Sequence, residues 1–466
     1  MTSDRLAILQ VSAAAQGGGA ERIARSLYEG LKRRDQAAWM AVADRNTEDP
    51  GILAIPAEPP NGLGARTLTR AADALEPLVG RAPGAGRIRR ALLAARSPRR
   101  VLDRWRGREY FEYPGTAAIP DLPPVRPDVI HCHNLHGGYF DLRRLESLSR
   151  SVPVVLTLHD EWLLTGHCAF TMGCERWRTG CGSCPDLTIY PAVRRDGTAA
   201  NWRAKRRIYA RSRLFVSTPS AWLMDRARGS ILAGGAAGWR VIPNGVDRSV
   251  FRSADRGAAR ELLGLPREPL ILLFTANAAR RNMFKDYPTV SGAARQAARA
   301  LPGRRLLLIA LGDSGPTERF DDAELWFVPY EADPLRVAAY YQAADLYLHA
   351  ARAENLPTTI IEAMSCGLPV VATVVGGIGE QVRSLAGAPG GGQGEVHPVE
   401  RATGVLVAPG DAAGMGAAAA AVLGDDLLRA ALSANAAADA AERFDLDRQV
   451  DETLAWYREI LADWPA

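Results

Sequence analysis

No run of about 18 apolar residues occurs in the 466-residue chain, so no segment is expected to cross a membrane as a helix. The alanine-rich stretch 412–423 is too short for that, and alanine adds little to insertion. Net charge is scarce too: 57 basic against 52 acidic residues leaves +5, which makes no electrostatic case for a nucleic-acid partner. There is no fixed-period internal repeat. Residues 1–15 lack the pattern of an export signal, because Asp4 precedes the only basic residue there, Arg5, and the stretch runs into Gly17-Gly18-Gly19. They read as a first strand and its loop, and the expected location is cytoplasmic. Cysteines number six, and without an export signal a disulfide framework is not expected of them.

What is present is the composition of a globular protein, 47% hydrophobic and 23% charged. The length suggests two domains of roughly 200 residues each. Leu6–Val11 reads as a buried strand, Gln16–Arg22 as a glycine-rich loop, and Ile23, Leu27 and Leu31 continue at helical spacing. Such a loop lets a ligand reach backbone N–H groups, though a tight turn alone would also use it. From 49 to 124 the periodicity dissolves. Ten arginines between Arg81 and Arg108 face one acid, Asp103, and are interleaved with Ile88, Leu92, Val101, Leu102 and Trp105. This segment is either a basic amphipathic helix resting on an anionic membrane, peripheral at its inner face, or a solvated helix. On the first reading its arginines would also bring a lipid diphosphate near the site.

Two strands then end in histidines, Val129–Asn134 and Val152–Trp162. Histidines at the C-terminal ends of adjacent parallel strands face a ligand crevice, which selects His133 and, more strongly, His159. The loop that follows spaces Cys168, Cys174, Cys181 and Cys184 as C-x5-C-x6-C-x2-C. A structural zinc held by four thiolates is the leading expectation, with two disulfides and free thiols as alternatives. After Val241–Asp247 the α/β alternation restarts, and Arg280, Arg281 and Lys285 form a basic loop after the strand 270–276.

The most informative stretch is Ala353–Met364, where Glu354 and Glu362 are separated by seven residues. Pro357 suits the first position of a helix and Gly367 its stop, so Glu354 lies in the preceding loop and Glu362 inside the helix. A helix N-terminus at Thr358 and the cation Lys285 suit a diphosphate, and a carboxylate suits a ribose hydroxyl pair. No Asp-x-Asp pair stands at a strand end to hold Mg²⁺, so catalysis is expected to need no cofactor.

At these residues the chain resembles GT-B retaining glycosyltransferases of family 4, in the branch of colanic-acid and exopolysaccharide enzymes. The resemblance runs through Gly17–Arg22, Asp128–Asn134, Thr157–Trp162, the cysteine loop, Ile242–Asp247 and Glu354-x7-Glu362 with the following Ala363–Thr373 and Gly376-Gly377. It implies an α/β fold of two doubly wound Rossmann-like domains facing a cleft. The acceptor domain would be 1–235 with the cysteine loop 167–185, the nucleotide-sugar domain 236–445, and 446–466 a helix packing back on the first. It further implies Glu354 on the transferred sugar, Glu362 on the donor ribose, Lys285 with Arg280 or Arg281 on the diphosphate, and His159 facing the sugar. Asn355, Leu356, Pro357 and Thr358 would complete the donor site, with Gly18 near the phosphates or acceptor and Gly19 and His133 beside it. Asp286 stands where the family usually has glycine, and Ala351 where Ser or Thr is usual, which leaves open which arginine acts. The implied partners are a nucleoside-diphosphate-sugar and a saccharide or lipid-linked saccharide acceptor, with no nucleic acid. A sugar phosphorylase, a nucleotide-sugar epimerase and a zinc-stabilised assembly subunit are the competing readings.

Overall fold

The computed structural model describes residues 5–56, 63–79, 82, 84–95, 98–109, 111–320 and 323–465. The chain divides into two units, one of 1–217, 225–240 and 459–466, the other of 218–224 and 241–458.

The first unit is built on seven strands: β1 (Ala7–Ala14), β2 (Ala37–Asp44), β3 (Ile52–Ala54), β4 (Val129–His133), β5 (Val154–Thr157), β6 (Leu214–Thr218) and β7 (Ala236–Val241). Their order across the sheet is β3-β2-β1-β4-β5-β6-β7. The pairings from β3 through β6 are all parallel. Parallel strands need crossover helices, which cover both faces and explain why Ile8, Leu9 and Val11 are all buried rather than alternating. The first crossover is the helix Gly19–Arg33, which buries Ala20, Ile23, Ala24, Leu27, Tyr28 and Leu31 on one stripe. At the chain's end Trp464 stacks near Phe215, with ring centroids 6.1 Å apart, and Arg213 lies over its indole.

The expected single basic helix is two helices, Ala85–Ala95 and Pro98–Trp105. Pro98 opens the second, since a proline cannot continue a helix but loses nothing at its first position. Of the arginines counted in this segment, Arg81 and Arg96 lie outside the described residues. Among the described residues no helix is long and apolar enough to cross a membrane.

The second unit has nine strands: β8 (Leu270–Thr275), β9 (Leu306–Leu311), β10 (Glu318–Phe320), β11 (Ala323–Val328), β12 (Leu346–His349), β13 (Val370–Thr373), β14 (Ser384–Leu385), β15 (Val396–His397) and β16 (Gly404–Val407). Their order is β10-β11-β9-β8-β12-β13-β16-β14-β15, parallel except for the β10–β11 edge pair. Period-two geometry divides its side chains between two cores. Leu272, Phe274, Leu346 and Leu348 enter one with the helix Tyr287–Ala300, while Ile271, Leu273 and Tyr347 enter the other with Ile360, Ile361 and Met364. His349, two residues beyond Tyr347, falls on that second face. Each sheet thus contains a doubly wound core in the order three, two, one, four, five, six, whose ligand crevice lies at the C-terminal ends of the first and fourth strands.

Candidate active site

In the second unit that crevice lies between the ends of β8 and β12. The loop after β8 brings Lys285, and the loop after β12 brings Glu354. Backbone bonds hold the two loops together: Asp286 N donates to Ala350 O at 3.1 Å, Arg352 N donates to Phe284 O at 2.8 Å, and Lys285 bridges Ala351 in antiparallel fashion. The Lys285 ammonium therefore meets the Glu354 carboxylate directly, with side chains only 11% and 19% exposed. Lys285 is one of three lysines in the chain, with Lys32 and Lys205.

Lys285 Nζ also lies 3.4 Å from His349 Nε2. An ammonium only donates, so Nε2 must accept, and the ring's proton then sits on Nδ1, 3.2 Å from the Tyr347 hydroxyl. Burial, with Lys285 adding to it, holds the His349 imidazole well below its ordinary value, so the ring is neutral. The Tyr347 ring packs edge-on against Tyr341, at 5.5 Å between centroids, and the Tyr341 hydroxyl donates to Glu362 Oε2 at 2.9 Å. One polar train thus underlies both glutamates.

The remaining expected donor residues separate into inward and outward groups. Asn355 and Leu356 are buried. Ser220 Oγ and Asn355 Oδ1 are 2.5 Å apart, Gly377 N donates to Asn355 O at 2.9 Å, and Asn244 Nδ2 donates to Leu356 O at 3.0 Å. The Asn355 side chain and the carbonyls of Asn355 and Leu356 therefore fix the loop. Glu362 is likewise buried at 3% exposure, turned towards Tyr341. Pro357 is the N-cap and not the first helical residue, and Thr358 opens the helix Thr358–Ser365. Gly376, at φ +57, packs so closely that a Cβ there would stand 1.7 Å from Glu354 O, so only glycine lets this turn lie under the loop. Of the two arginines, Arg280 is engaged: Nε lies 3.3 Å from Asp313 Oδ2 and the guanidinium lies 4.3 Å from the Phe327 ring centroid. Arg281 is exposed and has no side-chain partner among the described residues.

In the first unit the corresponding crevice, at the ends of β1, β4 and β5, is a chain of imidazoles. Gln10 Oε1 lies 2.8 Å from His133 Nε2, and His133 Nδ1 lies 3.0 Å from His159 Nε2. With the amide oxygen accepting, His133 Nε2 carries the proton, Nδ1 accepts, and His159 Nε2 donates. Burial holds His159 down at about 4 and His133 well below its ordinary value, so both rings are neutral near pH 7. His131, at about 3, is buried behind them, 2.6 Å from Thr157 Oγ1. His136 differs. Burial opposes its charge, but the Asp160 carboxylate 2.8 Å away raises it above its usual value. Gly18 and Gly19 stand exposed at the N-terminus of the helix Gly19–Arg33. The Glu21 carboxylate lies against Gly18, where an added Cβ would meet Oε2 at 2.9 Å. A carboxylate there disfavours a phosphate and suits hydroxyls.

Sequence reasoning missed His349, Gln10, Tyr341 and the His136–Asp160 pair. His349 ends a strand as His133 does, and the same strand-end rule would have found it.

The four loop cysteines are free thiols. Among the described residues no three His, Cys, Asp or Glu side chains are gathered as a metal ion would need. Cys184 Sγ lies 3.4 Å from His167 Nε2 and 3.4 Å from Asp186 O. Burial raises Cys168 to about 12 and Cys181 to about 11 in the metal-free loop.

Residues 17–250 match the family described as Glycosyltransferase Family 4, and residues 324–439 match Glycosyl transferases group 1. The chain belongs to glycosyltransferase family 4. A relative from Escherichia coli K12, WcaC, named for colanic acid biosynthesis, is 30% identical over 53% of this chain and 60% of its own length. D-inositol 3-phosphate glycosyltransferase 1 of Catenulispora acidiphila is 31% identical over 72% of each chain. The chain spans about half the length of other curated relatives it matches, such as the D-inositol 3-phosphate glycosyltransferase of Mycobacterium avium, at 33% identity over 48% of this chain and 50% of that one. Among solved structures, sucrose-phosphate synthase of Thermosynechococcus elongatus superposes with a TM-score of 0.60 at 20% identity, covering 99% and 100% of the two chains. HepE of Anabaena, in complex with UDP and glucose, gives 0.57 at 16% over 99% and 100%. These similarities place the family 4 chain among two-domain Rossmann-like GT-B folds.

Proposed function

We propose that this family 4 protein transfers a sugar from a nucleoside-diphosphate-sugar to a hydroxyl acceptor with retention of anomeric configuration. The observation that carries the reading is the Lys285–Glu354 pair at the ligand crevice of the second sheet. Two similar proteins support the donor and its use: HepE is in complex with UDP and glucose, and WcaC is named for colanic acid biosynthesis.

In this reading Lys285 neutralises the leaving diphosphate, assisted by Arg281 and the N-terminus of the helix Thr358–Ser365. The bond from the anomeric carbon to the diphosphate oxygen breaks as the acceptor oxygen bonds to the same face. The acceptor's proton passes to the departing diphosphate oxygen. No protein base is then needed, and Glu354 stabilises the positive charge that develops on the sugar ring. Glu362 is assigned to the donor ribose, reached from a carboxylate that Tyr341 holds in place. His349 holds the Lys285 amine on its path and is a positioning residue. We assign the first unit's crevice to hydroxyl recognition, because the neutral His159 and the carboxylates of Asp160 and Glu21 suit sugar hydroxyls and repel a diphosphate.

The segment 81–108 is assigned to peripheral contact with an anionic membrane, where a lipid-linked saccharide or an exopolysaccharide precursor would be presented. Ile88, Val101, Leu102 and Trp105 are all exposed there, between 43% and 56%. The test is a panel of nucleoside-diphosphate-sugars against free and lipid-linked acceptors, with the anomer of the product read by NMR and EDTA present in one arm. Transfer with a retained anomer is expected in both arms. An inverted anomer, a requirement for inorganic phosphate, or turnover without acceptor would overturn the reading.

A further inference from the structure

In the first unit, the end of the helix Pro98–Trp105 and the turn 195–197 border an open surface cavity of about 480 Å³, lined by Trp105, Arg106, Arg108, Arg195, Asp196 and Arg203 among others. A close backbone contact joins the two segments that border it. A Cβ on Gly107, at φ +70, would stand 1.7 Å from Arg195 O, and one on Gly197 would stand 2.4 Å from Gly107 O. Asn201 locks the contact, with Nδ2 donating to Gly107 O at 3.0 Å and Oδ1 accepting from Glu109 N at 2.9 Å. The cavity is thus a built feature of the fold and not an accident of surface side chains.

Its electrostatics are one-sided. Asp196 is the only acid in the lining, and its carboxylate is already occupied: Oδ2 accepts from Cys184 N at 2.8 Å, and Oδ1 from Thr198 N at 3.0 Å and Thr198 Oγ1 at 2.6 Å. Among the described residues none of Arg106, Arg108, Arg195 or Arg203 is ion-paired. Arg195 instead lies over the Trp105 ring at 3.5 Å from its centroid. Four exposed arginines line this one cavity, and guanidinium groups suit the oxygens of a phosphate. Beside them, on the last turns of the same helix, Val101, Leu102 and Trp105 are 46%, 43% and 51% exposed. A phosphate next to an apolar surface is the chemistry of a phospholipid at a bilayer.

We propose that this cavity binds the phosphate of an anionic phospholipid, so that the protein seats on a membrane through a defined headgroup site. The proposal rests on the reading of 81–108 as the membrane-facing segment and names the site within it. It does not depend on glycosyl transfer, so the test reads binding alone. Co-flotation is measured with phosphatidylcholine vesicles with and without phosphatidylglycerol, and melting temperature is measured with inorganic phosphate or pyrophosphate.

The wild-type chain is expected to float with the anionic vesicles and not with the neutral ones. The double variant Arg106→Gln, Arg203→Gln should bind about 30-fold more weakly, from the usual contribution per basic residue at a membrane surface, with an unchanged melting temperature. The control Arg144→Gln, Arg211→Gln, which removes two exposed arginines that do not line the cavity, should stay within about 3-fold. Equal losses in both doubles would overturn the cavity while sparing the membrane reading. Failure of the wild type to float would overturn both. Stabilisation by phosphate or pyrophosphate that needs Arg106 and Arg203, with no flotation, would assign the cavity to a soluble anion and defeat the lipid proposal.

Discussion

The two sheets present the same strand order and both place histidines at the crevice, yet they arm it in opposite ways. At the end of β12, His349 is neutral but touches a charged pair, Lys285 and Glu354. At the ends of β4 and β5, His133 and His159 form a neutral relay anchored on an amide, Gln10. The difference follows from which neighbour each strand end receives: a lysine loop in one unit, a glutamine inside β1 in the other. A crevice with a held cation suits developing negative charge, and one of neutral rings and carboxylates suits hydroxyls. This contrast is the ground for the proposed division, with leaving-group chemistry in the second unit and hydroxyl recognition in the first.

The sharpest way to break this contrast is to remove the charge. Lys285→Ala should lower kcat by about 10²–10³-fold, the usual cost of losing a group aimed at transition-state charge. Glu354→Gln should fall in the same range and keep its fold. His159→Ala should cost less in kcat and more in acceptor KM. If His159→Ala matched Lys285→Ala in kcat, the division of labour between the units would be wrong.

Acid offers a second separation. In the first unit burial keeps His131 near 3 and His159 near 4, with His133 well below 6.5, whereas the unfolded rings protonate near 6.5. Below 6.5 the unfolded chain therefore binds more protons, and stability falls as pH drops towards the folded values. Each ring still neutral at pH 5 forfeits on the order of 2 kcal/mol by that linkage. His136 works the other way, since Asp160 raises it against the opposing effect of burial: its contribution is full below 6.5 and is lost as pH rises through its folded value. The second unit has one strongly depressed ring, His349. Hydrogen exchange between pH 7 and 5 should show the β4–β5 region losing protection before β12. The reverse order would contradict the burial argument.

Much of this crevice was legible in the sequence, because strand ends, a helix start and a basic loop all leave local signals. His133, His159, Lys285 and Glu354 each follow directly from such a signal. Sidedness was not legible. Spacing puts Asn355 and Leu356 beside Glu354, but only packing against Ser220 and Asn244 turns them inward. Gln10 read as one more buried strand residue, since nothing local marks a glutamine that a strand 123 positions away will use. Two adjacent arginines differ only through Asp313 and Phe327, which arrive from the next strands.

Glu362 gives the smallest test and sharpens the account most finely. Tyr341→Phe removes the hydroxyl that binds it and should cost about 1 kcal/mol of stability, the net worth of such a bond, with donor KM within about twofold. Glu362→Ala should raise donor KM. A Glu362→Ala protein that is destabilised but has a normal donor KM would make the carboxylate a buried partner of Tyr341 and nothing more.

The central claim is that the Lys285–Glu354 end of the second sheet binds the donor's diphosphate. Calorimetric titration of UDP, GDP and ADP into the wild type and Lys285→Ala proteins tests it without an acceptor. The account predicts that at least one of these nucleotides binds the wild type and binds the variant at least about tenfold more weakly, one lost charge-assisted contact. Equal binding to the two proteins would contradict it.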